Sequence, residues 1–104
     1  METEQATKTR ELNDAFRTRG DAVTITPGVQ ELRDLSGLLE AVREYDEFSD
    51  DNDPYHEHDF GTIVWAKLKV FWKIDYYNQS LDGWCDPQSL DCRRVLTIML
   101  AREY

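Results

Sequence analysis

The chain has 104 residues, 40% of them hydrophobic and 32% charged, and a net charge of −9. This suits one domain with a modest core and is too apolar for a disordered chain. No run approaches the roughly 20 apolar residues of a membrane span, and two cysteines are too few for a disulfide framework. The expectation is a single domain over residues 1–104, frayed over residues 1–10. Residues 1–11, polar and mixed in charge, read as no signal peptide, so a reduced, cytoplasmic protein is the default.

The charge is unevenly placed. Residues 31–59 hold eleven acids against Arg33 and Arg43, a sum of −9, while the remaining ten acids and ten bases cancel. Phosphate repulsion opposes direct nucleic-acid binding through such a segment. The expected partner is a basic surface on a protein or protein–RNA complex.

In chain order, residues 4–19 read as a helix with a thin stripe at Leu12, Ala15 and Phe16, stopped at Gly20. Val23, Thr24 and Ile25 form a short β-branched strand, and Pro27-Gly28 fits a type II turn. Leu35, Leu38, Leu39, Val42 and Tyr45 line one face of a second helix, expected over residues 35–48 with Asp34 or Ser36 as cap. Asp46 and Glu47 oppose the dipole at its end, which predicts early termination. Residues 49–55 read as loop. Residues 60–66 and 68–77 read as an antiparallel hairpin turning near Lys67, with Leu68, Val70, Trp72, Ile74 and Tyr76 facing the core. Asp86-Pro87 has the form of a helix start. The stripe Cys92, Val95, Leu96, Met99, Leu100 then predicts a final helix. The expected fold is α+β in the order α-β-α-β-β-α, a small antiparallel sheet of about three strands with helices on one face.

Several blocks resemble an uncharacterised bacterial family of unknown function. They are Leu12-Asn13-Asp14-Ala15-Phe16-Arg17, Asn52-Asp53-Pro54 followed by Glu57-His58-Asp59-Phe60-Gly61, Phe71-Trp72-Lys73-Ile74-Asp75-Tyr76-Tyr77, and Arg94-Val95-Leu96-Thr97-Ile98-Met99-Leu100-Ala101 closing with Glu103-Tyr104. His56 and Cys92 depart from its usual residues. The resemblance implies frequent occurrence among mobile genes and no established activity, cofactor or catalytic residue.

Three groupings have chemical potential. The acids Glu44, Asp46, Glu47, Asp50, Asp51, Asp53, Glu57 and Asp59 run without a base between them. In extended backbone, alternate carboxylates lie about 6–7 Å apart, within a factor of two of the roughly 3.4 Å phosphate step along one DNA strand. Such an array can mimic DNA, and this predicts an inhibitor of nucleic-acid-handling or host-defence machinery of the anti-CRISPR or anti-restriction type. The plain alternative is a solubilising surface.

His56 and His58, if extended, share a face and suit a divalent metal. His58, Asp59, Lys73 and Asp75 converge if the hairpin turns near Lys67, which would give a small hydrolytic or metal-dependent enzyme with histidine as base. No phosphate loop, nucleophile elbow or zinc-protease run accompanies either grouping. The leading expectation has no cofactor and no catalytic residue. A third reading is a non-inhibitory subunit of a larger assembly that uses Phe71 and Tyr77 as its contact face. Trp84 is expected to fold back over a sheet edge, and Cys85 and Cys92 to be buried free thiols.

Overall fold

The first helix begins where Thr3 Oγ1 accepts the Ala6 N–H at 2.9 Å and ends where Gly20 turns left-handed at φ 68°. This α1, Glu4–Arg19, is followed by β1, Val23–Ile25, both as the sequence predicts. The computed structural model describes residues 3–20, 22–89 and 91–104. The buried face of α1 is Thr9, Asn13, Phe16 and Arg17, whereas Leu12 is half-buried and Ala15 exposed. The apolar stripe is thus rotated towards polar residues that find partners inside.

Pro27-Gly28 does not make a type II turn. Thr26 Oγ1 accepts the Val29 N–H at 3.4 Å and Pro27 supplies the fixed φ of a first helical position, so the pair opens α2, Pro27–Gln30. A β-carbon on Gly28 would meet Leu100 Cδ1 at 2.7 Å and Glu103 Oε1 at 2.8 Å, so a larger residue here would have to displace those side chains. Next comes α3, Leu35–Arg43, capped by Asp34 Oδ1 on the Gly37 N–H at 3.1 Å. It stops before Asp46 and Glu47, as the dipole argument requires.

The predicted hairpin is β2, Phe60–Trp65, and β3, Leu68–Tyr77. Its two-residue turn puts Ala66 at φ 51° and Lys67 at φ 66°, the mirror-image geometry whose twist suits a hairpin.

The C-terminus overturns the helical expectation. Arg93–Leu100 is a strand, β4, ended by a single 3-10 turn over Ala101–Glu103. Asp86 Oδ1 accepts the Gln88 N–H at 2.9 Å, so Asp86-Pro87 closes an Asx turn and starts no helix. The apolar spacing fits both periods because β4 is paired on both edges and buries residues from both of its faces. Leu96, Ile98 and Leu100 enter the core, and Met99, on the opposite face, is also buried.

The result is an α+β fold with a four-stranded sheet in the order β1-β4-β3-β2. It is mixed and not purely antiparallel, because β1 runs parallel to β4 (Val23 beside Leu96, Ile25 beside Ile98). The helices cover one face. Phe16, Val29, Leu38 and Val42 pack there against Val70, Trp72, Ile74, Leu96 and Ile98. Leu68, assigned to the core by alternation, is 40% exposed at the hairpin end. The other sheet face carries Phe60 and Phe71, with ring centroids 5.1 Å apart, and Tyr104 edge-on to both. Phe71 is therefore partly covered by the chain's own terminus. Among the described residues no helix is long and apolar enough to cross a membrane.

A side chain other than glycine costs about 1–2 kcal/mol in the left-handed region, less for asparagine. Ala66→Asn should therefore raise stability by roughly 0.5–1 kcal/mol, read as a higher urea midpoint at unchanged slope.

Candidate functional site

The acidic segment after α3 is a hydrogen-bonded loop. Ser49 and Asn52 exchange bonds: Asn52 Oδ1 accepts the Ser49 N–H at 2.8 Å, and Ser49 Oγ accepts the Asn52 N–H at 3.3 Å. Asn52 Nδ2 donates to Glu47 O at 2.8 Å, and the Asp53 N–H donates to Ser49 O at 2.8 Å. Asp53 is buried, and its Oδ1 accepts the N–H groups of Glu57 and His58, each at 3.2 Å.

The eight acids therefore divide. Glu44, Asp46, Glu47, Asp50 and Asp51 are exposed, while Asp53 is buried and Glu57 and Asp59 are half-buried. Of the exposed five, Asp50 lies 3.6 Å from His56 Nε2, and the other four make no ion pair among the described residues. The inward three belong to the protein's own framework.

His56 and His58 are not extended. Both are left-handed, at φ 58° and 55°, so they do not share a strand face as the metal reading supposed. His56 turns to Asp50. His58 turns inward, with Nδ1 2.9 Å from Asp14 Oδ1 and Nε2 3.4 Å from Asp53 Oδ2, its ring stacked 3.6 Å from that of Phe48. Among the described residues no group of three or more His, Cys, Asp or Glu side chains is arranged to hold a metal.

Nor does His58 meet the residues grouped with it as an enzyme. Asp59 stands beside Ile74 on the helix-covered face and accepts the Tyr76 hydroxyl at 3.2 Å. Lys73 and Asp75 project from the opposite face and pair at 2.9 Å. That hydrogen bond, above all, holds the Lys73 ammonium above its usual range.

Beneath the loop lies a polar network that the sequence did not reveal. Asn13, fully buried on α1, donates to Glu57 O at 2.9 Å and to the Tyr76 hydroxyl at 2.8 Å, and accepts from Arg94 Nε at 2.7 Å. Burial pushes the Tyr76 hydroxyl well above the ordinary range, with the Asp59 charge adding to it. Burial likewise raises the Asp59 carboxyl. The Tyr76 hydrogen bond pulls it down, and the charge of Asp53 pushes it up. Glu57 is raised by burial and then by Asp59 and Asp53.

Asn13, Asp14 and Arg17 were missed because asparagine, aspartate and arginine on a helix ordinarily face water. The available signal was their helical spacing with Phe16. Trp84, expected to fold back, is 72% exposed beside its bridge to Tyr77. Cys85 and Cys92 are free and half-buried.

The family described as "Protein of unknown function (DUF3768)" matches residues 25–103. The chain belongs to this family. The matched region of the DUF3768 domain spans the acidic loop, the hairpin and β4 and leaves α1 outside it, so Asn13, Asp14 and Arg17 come from beyond the matched segment. No curated protein and no solved structure matches the chain.

Asn13→Ala removes the acceptor of Arg94 Nε and the donor to Glu57 O and Tyr76. It should cost about 2 kcal/mol in urea unfolding, against less than about 0.5 kcal/mol for the exposed Glu11→Ala. Asp59 gives a pH test. An acid whose folded pKa is raised contributes most below its unfolded value and loses that contribution as pH rises through the folded value. Asp59→Asn should therefore gain stability relative to wild type as pH is raised from about 4 to 7, measured by thermal unfolding across that range.

Proposed function

We propose that this chain is a protein-binding domain that presents Glu44, Asp46, Glu47, Asp50 and Asp51 to a basic, phosphate-binding surface of a nucleic-acid-handling complex. The observation that carries the reading is the internal bonding of the loop. Ser49, Asn52 and Asp53 tie the backbone to itself while the neighbouring carboxylates stay in water. A loop already ordered loses little entropy on docking, which a flexible acidic tail cannot match.

Charge supports the same direction. Four of these five carboxylates make no ion pair with the described residues, so their field extends outward and steers a cationic surface to them. A carboxylate array seated in a groove built for phosphates excludes nucleic acid from it. The domain then acts as an inhibitor, and the CRISPR- and restriction-type complexes of host defence are basic targets of this kind. Asp53, Glu57 and Asp59 hold the loop in shape and are not the contact residues of this reading.

Screening by salt tests it, since exposed charges act over roughly 8–10 Å at physiological ionic strength. In pull-downs from host lysate, bound protein should fall steeply between low and high salt and be displaced by added DNA. Glu47→Gln/Asp50→Asn/Asp51→Asn should weaken capture at least about tenfold, a loss of about 1.4 kcal/mol, without altering the fold by circular dichroism. Salt-insensitive capture, or capture unchanged in the triple variant, would overturn the reading.

A further inference from the structure

The sheet ends on one side in an open edge. In the order β1-β4-β3-β2, the strand β2 pairs, among the described residues, with β3 alone. The Ile74 N–H donates to Asp59 O at 2.8 Å, which sets the alternation of the ladder. Gly61, Ile63 and Trp65 then point their backbone groups at β3, and Phe60, Thr62 and Val64 point theirs outward. Those outward groups have no partner among the described residues.

Edge strands in monomeric proteins are usually blunted by charge, proline or a bulge. Phe60–Trp65 (FGTIVW) has none of these, in a chain that is 32% charged. Val64 is 69% exposed. The opposite edge, β1, is only three residues long.

We propose that β2 is a docking edge for a second copy of this chain, paired antiparallel about a twofold axis at Thr62. In that register Thr62 faces Thr62 of the second copy and Phe60 faces Val64 of the second copy. Every outward donor and acceptor of the strand is then matched, and the exposed Val64 side chain is covered by an aromatic ring. Such an interface is self-complementary and closes at two copies.

Charge selects the same arrangement and argues for a second copy over a foreign strand. Antiparallel pairing about Thr62 carries the acidic approach to β2, Glu57 to Asp59, towards the Ala66-Lys67 tip of the other hairpin. Lys67 is exposed and makes no ion pair with the described residues. Burial and the neighbouring Asp59 and Asp53 charges disfavour the ionised Glu57 carboxyl, and an incoming ammonium offsets that. The two strongly acidic loops stay at opposite ends of the joint. A six-residue edge is a small interface, so the dimer should be reversible and depend on concentration.

The test is sedimentation velocity on the full chain over a concentration series from micromolar to submillimolar. The average mass should climb from one chain towards two. Val64→Lys, on an exposed side chain, should move the midpoint at least about tenfold higher. Thr62→Pro, whose lost N–H lies outside the internal ladder, should abolish the climb. Circular dichroism and the thermal midpoint check that each variant is folded. Lys67→Glu should weaken association, and adding Glu57→Lys should restore it. A single-chain mass at every concentration leaves the edge to another protein's strand or to nothing, and overturns the proposal. So does a midpoint unmoved by Val64→Lys, or one moved equally by Thr24→Lys on the far edge.

Discussion

A buried arginine holds the acidic side of this protein together. Arg17 is 4% exposed, and its guanidinium lies 5.0 Å from the Trp72 ring and 5.4 Å from the Phe48 ring. It donates to Asp14 at 3.1 Å and to the Tyr45 carbonyl at 3.1 Å. An unpaired cation there would cost several kcal/mol, so each partner is held in place once Arg17 is inside. Those partners come from α1, the segment that follows α3, the acidic loop and β3, and Asp14 passes the constraint on to His58. Trp72 completes the assembly. A β-carbon on Gly61 would meet its indole at 2.2 Å, so the residue opposite it in β2 must have no side chain.

This clamp shows why the sequence was readable in parts. Helix α1, its glycine stop, β1, the Asp34 cap and both hairpin strands follow from local signals that tertiary contacts did not override. The last strand was not legible, because Val95 to Leu100 is apolar at nearly every position and such a run fits a buried strand as well as a helix. Its neighbours β1 and β3 decide the matter, and they lie far away in sequence. The loop carboxylates were legible as charge but not as roles. Nothing in the spacing separates Asp53, which binds two backbone N–H groups, from Asp51, which faces water.

The two sheet faces also divide the chemistry. On the helix-covered face, Asn13, Tyr76, Asp59 and Arg94 form a connected network that fixes α1 against β3 and β4, while the buried Arg17 Nε and Trp72 indole N–H find no hydrogen-bond partner among the described residues. On the other face, Phe60, Phe71 and Tyr104 form an aromatic patch beside the Lys73–Asp75 pair. The terminal turn is pinned near it: Glu103 accepts the Leu100 N–H at 2.8 Å and the Thr26 hydroxyl at 2.6 Å. That contact holds the Glu103 carboxyl below its usual range.

The parallel pairing of β1 with β4 sets an order of events for biosynthesis. Residues 23–25 have no sheet to join until residues 93–100 have left the ribosome, and β3 lacks its inner neighbour until then. The nascent hairpin must wait with Trp72 and Ile74 uncovered on one side, a state that invites chaperones. Loop closure over some seventy residues precedes the reward of pairing, so the finished sheet forms slowly for its size.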